Sequence, residues 1–149
     1  MSTIVKDIVD AIKTIIAATL PATYAELDYV VEPDKNNYKT NRFRYGVLPL
    51  SGESQGGIAK HVNVNQLFEI ILTTSFINKS QSDNNQRSKT FDLYEKQWDI
   101  TKALFTTKLG LPTRVLNVNN LSLSEPEYLD DDHVVVLRFS LSVLYRHTL

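Results

Sequence analysis

Three histidines and seventeen carboxylates are the groups most able to do chemistry in this 149-residue chain, which has no cysteine. Disulfides, thiolate metal ligands and thiol nucleophiles are therefore excluded. His61 and His133 fall at expected strand starts and His147 near the chain end. They lack the i, i+4 or i, i+2 spacing that brings two imidazoles onto one ion. His133 follows Asp130, Asp131 and Asp132, with Glu125 and Glu127 nearby, the one cluster rich in the oxygens a hard cation takes. It lacks the glycine and the terminal glutamate of a calcium loop, so a solvated acidic turn is expected, with a small metal- or ligand-binding module as the alternative. Ser54 lies between glycines in Gly52-Glu53-Ser54-Gln55-Gly56. A nucleophile elbow needs a strand-to-helix turn and a histidine to take the proton, and no helix is expected after Ser54. Gly56-Gly57 lacks the Gly-Lys-Ser/Thr ending of a phosphate loop. The expectation is a protein with no catalytic constellation, no cofactor and no resident metal.

The elements that would position these residues can be read from periodicity. Ser2 or Thr3 caps a helix in which Ile4, Ile8, Ala11, Ile12, Ile15 and Ile16 recur at three and four residues, and Pro21 ends it. A strand is expected around Tyr24 to Val31, then a polar loop from Glu32 to Asn41, then a strand at Arg42 to Leu50 in which Phe43, Tyr45 and Val47 alternate with Arg42, Arg44 and Gly46. Ser51 to Gly57 reads as a flexible connection. Val62, Val64 and Leu67 to Phe76 make a long aliphatic third strand. Asn78 to Lys89 is almost wholly polar and offers little apolar surface against an ordering cost of ~1–2 kcal/mol per residue, so mobility is expected there.

A second helix is expected over Thr90 to Leu109, with Tyr94, Trp98 and Phe105 read as core residues covering the sheet. Gly110 suits its left-handed cap and Pro112 forbids its continuation. Two strands follow, Arg114 to Ser124 and His133 to His147, joined by the acidic turn Glu125 to Asp132. In the last strand Val135, Leu137, Phe139, Leu141, Val143 and Tyr145 share one face, a period of two held over a dozen residues. The fold class is α+β, a mostly antiparallel sheet with two helices packed on one face, in the order α-β-β-β-α-β-β. Length fits a single domain over residues 1–149.

Sixteen Lys and Arg against seventeen Asp and Glu give a net charge of −1, which argues against a protein that grips nucleic acid over a wide footprint. Apolar runs such as Val134 to Leu137 are far shorter than the ~20 residues of a membrane span. The N-terminus does not read as a signal peptide and is expected to stay in place. Val134, Val136 and Leu144 on the second face of the last strand, and Ile70 to Leu72 in the third, exceed what two helices on one face would cover. That surplus suggests a subunit that completes its packing in an assembly.

The layout, with its isoleucine-rich first helix, Asn36-Asn37 leading to Arg44-Tyr45-Gly46-Val47-Leu48-Pro49, the strand Leu67-Phe68-Glu69-Ile70, the helix near Leu93-Tyr94 and the closing Tyr145-Arg146, resembles the tail terminator or tail-completion proteins of long-tailed bacteriophages. The resemblance spans most of the chain and rests on layout and short motifs. It implies a virion protein made in the host cytoplasm, a homo-oligomeric ring, commonly a hexamer, that sits on the last ring of tail tube protein, stops tube growth and presents a surface to the neck or head-completion connector. It brings no enzymatic residues. Arg42, Arg44, Tyr45, Arg138 and Arg146 are the expected oligomer or partner interface; for the four arginines, intersubunit or cross-strand pairing with carboxylates is favoured at this net charge over a basic surface for phosphates. Asp130, Asp131 and Asp132 are expected at the channel or an axial partner, where DNA passes without specific binding. A neck or head-completion connector is the alternative function.

Overall fold

A computed structural model describes residues 4–21, 24–26, 43–58, 60–75, 82–111, 113–129 and 134–148. Its elements are α1 (Ile4–Thr19), β1 (Ala25–Glu26), β2 (Phe43–Ile58), β3 (His61–Ser75), α2 (Ser82–Thr106), a 3-10 turn (Lys108–Gly110), β4 (Val115–Leu123), β5 (Glu127–Leu129) and β6 (Val134–Thr148). The strands form one sheet in the order β1-β2-β3-β6-β4, with β5 also paired to β6. Among the described strands only the β1–β2 pair is parallel. The α+β class and its mostly antiparallel sheet are as the sequence indicates.

Ile4, Ile8, Ile12 and Ile16 recur every fourth residue of α1 and are all buried, so the helix presents one aliphatic row to the sheet. The facing row of the sheet follows from strand periodicity. Tyr45 and Val47 of β2, Phe68, Ile70 and Leu72 of β3, and Val135 through Tyr145 at alternate positions of β6 share a face and one core with α1 and with Leu93, Ile100 and Leu104 of α2. Each such side chain contributes about 1.5–3 kcal/mol by leaving water.

Four expectations change. The stretch Ser51 to Gly57 is strand, not flexible connection: Gly52 pairs with Gln66, Glu53 with Asn65, Ser54 with Val64 and Gly57 with Val62, with register shifts on either side of this run's centre. A backbone ladder needs only a neighbouring strand, and β3 supplies one. Gly57 serves close approach, because a Cβ there would collide with the His61 carbonyl oxygen. Second, α2 begins at Ser82, so the polar segment after Asn78 is partly helical. Extending a helix already nucleated by its packed half is far easier than starting one. Third, the left-handed turn closing α2 begins before Gly110 (φ +69°): Lys108 and Leu109 also have positive φ, and burial of Leu109 holds it there. Fourth, the expected turn between the last strands contains β5, whose residues pair with the start of β6. Of the expected first strand only Ala25–Glu26 is described as strand; residues 27–42 lie outside the described residues.

The second face of the sheet holds less uncovered apolar surface than the sequence leads one to expect. Ile71, Val134 and Val136 are buried within the single chain, with Leu48 packed beside them, so this patch needs no neighbouring copy. Leu144 is half-buried.

Gln97 is fully buried on α2, and neither its amide oxygen nor its amide nitrogen has a hydrogen-bond partner. An unsatisfied buried amide costs about 1–3 kcal/mol. Gln97→Met, which keeps volume and removes both polar atoms, is expected to raise unfolding stability by about that amount in urea titrations; a loss of stability would show that the amide is engaged.

Candidate functional site

The residues singled out as an interface are not brought together. Arg42 and the acidic residues Asp130, Asp131 and Asp132, with His133, lie outside the described residues. Tyr45 points into the core and is 7% exposed, which corrects its expected interface role. Arg44 and Arg138 lie on the second face of the sheet, separated by β3 and offset by two residues, since Arg44 pairs with Thr73 and Arg138 with Ile71. Arg138 is used within the chain: its Nη1 donates to Glu69 Oε1 at 3.1 Å, and its Nε lies 3.7 Å from Glu127 Oε1. This is the cross-strand pairing with carboxylates that the net charge favours for the arginines, and it ties β5, β6 and β3 together.

Arg146 is exposed eight residues further along β6, about 26 Å away at the rise of an extended strand. It lines a groove of about 380 Å³ with Gln55, Gly56, Gly57, His61 and Asn63, at the end of the β2–β3 hairpin. Ser54 is set in β2, where its Oγ accepts from the Gly56 N–H at 3.4 Å. Among the described residues no three His, Asp or Glu side chains are grouped as a metal site. No described helix is long and apolar enough to cross a membrane.

The exposed apolar side chains are the feature the sequence reading missed. Trp98 is 53% exposed, Phe105 40% and Phe91 60%, so Trp98 and Phe105 do not cover the sheet as expected. Two rows in α2 have helical spacing, and the aliphatic one, Leu93, Ile100 and Leu104 with Gln97 among them, turns inward. Tyr94 lies between the rows and is half-buried. The signal was the seven-residue repeat of Phe91, Trp98 and Phe105, which marks a seam of its own rather than a wide core face. The other exposed large apolar residues are on strands: Leu50 on β2, Leu67 on β3, Leu123 on β4 and Tyr128 on β5.

No family model matches the chain, and no curated protein matches it. A solved structure is similar over 95% of this chain and 96% of its own, at 19% identity and a TM-score of 0.39. That likeness carries no argument about function.

Burial is the main cause of the perturbation at three tyrosines and one lysine. Tyr24, Tyr45 and Tyr145 hold their protons above the ordinary value of 10.0; for Tyr24 the charge of Asp92 and a hydrogen bond to it add to the effect. Lys89 is pushed below its ordinary value by burial, against the pull of Asp92. A phenol whose folded value is raised contributes stability that is fully present below pH 10 and lost above it, where the unfolded chain ionises first. Stability is therefore expected to fall as pH rises beyond 10. Ultraviolet phenolate absorbance should show the folded protein ionising fewer than its seven tyrosines until it unfolds; a single unshifted titration of all seven would contradict this.

Proposed function

We propose that this protein is a structural ring subunit of a long-tailed phage virion, which caps the tail tube, ends its polymerisation and offers its opposite side to the neck connector. The observation that carries the reading is the pair of unlike sheet edges. Among the described residues no strand lies outside β2 beyond Tyr45, and none lies outside β4. Each edge carries an exposed large apolar side chain, Leu50 on one and Leu123 on the other. Two different surfaces on opposite sides of one subunit make a head-to-tail contact, and such a contact repeated with rotation closes a ring. Pro49, which has no N–H to donate, and the register shifts in both edge strands keep these edges from pairing indiscriminately, so a partner must match them. A net charge of −1 suits a ring through which DNA passes without being held.

The alternative within the same class is a neck or head-completion connector of similar build. Electron microscopy of the purified protein mixed with tail tubes separates the two: rings at one end of the tubes support the terminator, and rings that join only the connector support the alternative.

The edge contact has its own test. Leu50→Glu and Leu123→Glu would each place a charge in the contact and are expected to abolish rings in light-scattering measurements. Mixed together, the two variants still hold one intact pair of edges between them, and the expected product is a dimer that cannot grow. Rings that persist in both single variants would overturn the edge contact.

A further inference from the structure

We propose that the outer flank of α2 is a two-fold docking surface for a second copy of this chain, packed antiparallel across Trp98. This contact goes beyond the ring and is separate from it, because sheet edges meet head to tail whereas a two-fold contact joins the same surface on both copies.

Phe91, Trp98 and Phe105 are exposed at seven-residue spacing and together offer roughly 300 Å² of aromatic surface, the size of the largest patch on a typical monomer. The row runs about 21 Å along the helix and drifts only ~20° per seven residues, so it stays in line with a straight partner helix. A scattered exposed aromatic would need no explanation; an aligned row of three on the only α2 flank that carries them does.

The charges beside the row choose the occupant. Glu95 and Lys102 are exposed on its solvent side, three residues before Trp98 and four after it. Turned end for end about Trp98, a second α2 brings Phe91 against Phe105, Trp98 against Trp98, and Glu95 within one residue of Lys102, at both ends of the contact. In a parallel pair the flank that carries Glu95 and Lys102 would face the opposite flank of the partner, and the two charges would not meet. An acidic segment would meet Glu95, and a basic one Lys102. The row is thus complementary to its own reversed copy, which is the condition for an isologous contact. At roughly 300 Å² of aromatic area a side, well under the ~800 Å² of a standard interface, the pair is a weak one that forms with rising concentration. Where rings also form, it joins two of them face to face.

The absence of cysteine gives a direct test, carried out in the Leu50→Glu background so that the ring contact is removed. Trp98→Cys is expected to form a disulfide between two copies under mild oxidation. Phe91→Cys mixed with Phe105→Cys is expected to cross-link at least tenfold more than Phe91→Cys alone. Equal cross-linking of Phe91→Cys with itself would overturn the antiparallel arrangement, and failure of Trp98→Cys to link would overturn the contact. A second measurement avoids the aromatic residues. Glu95→Lys alone should abolish concentration-dependent pairing in sedimentation, and Glu95→Lys with Lys102→Glu should restore it; if the double variant stays monomeric, the charge register is wrong. Failure here leaves the edge contact standing, and failure of the edge contact leaves this one standing.

Discussion

The uninterrupted ladder between β3 and β6 is the constraint on which the rest of the molecule depends. It runs from His61 opposite Thr148 to Ser75 opposite Val134 without a register shift, at the centre of the sheet. Because side chains alternate strictly along a strand, this one register decides which residues of both strands face the helices. It sets Phe68 beside Leu141, Ile70 beside Phe139 and Leu72 beside Leu137 on the core side, and Ile71 beside Arg138 on the other. A slip of one residue by either strand would carry its own member of the Glu69–Arg138 pair into the apolar core. The long strands also reach well past the helices, which is why the β2–β3 hairpin and the end of β6 form an exposed polar arm.

What the sequence shows depends on whether a pattern is local. The isoleucine row of α1 and the alternation of β6 are each set by a single periodicity, and both stand as read. The arm from Ser51 to Gly57 was illegible because its side chains carry no apolar pattern; its strand character comes from the backbone of β3 alone. β5, three residues long, has the same cause. In α2 the difficulty was different: two rows of large residues have helical spacing, and only the sheet's shape decides which turns inward. The cost of that choice is visible in Gln97, buried without a partner in the winning row. Of the candidate site, Arg138 could be read as a cross-strand partner, but its carboxylates could not be chosen before β5 and the β3–β6 register were known.

These observations move the case for assembly from one surface to two others. Ile71, Val134 and Val136 on the second face of the sheet are enclosed by the chain itself. Among the described residues the exposed large apolar side chains lie on the edge strands, at Leu67 of the central strand β3, and along α2. The two proposed contacts differ in symmetry, one that would close a ring and one that would pair like surfaces, and the physical reasoning is the same in both. Two unlike edges meet each other only in a head-to-tail contact, whereas a helix whose aromatic row and flanking charges reverse onto themselves meets its own copy across a two-fold axis.

The most direct test of the central claim, that this chain is built to assemble, is the molar mass of the unmodified protein by light scattering across a wide range of concentration. The account predicts a mass that reaches multiples of the 16.9 kDa chain, six-fold for a hexameric ring. A mass of 16.9 kDa at every concentration would contradict it.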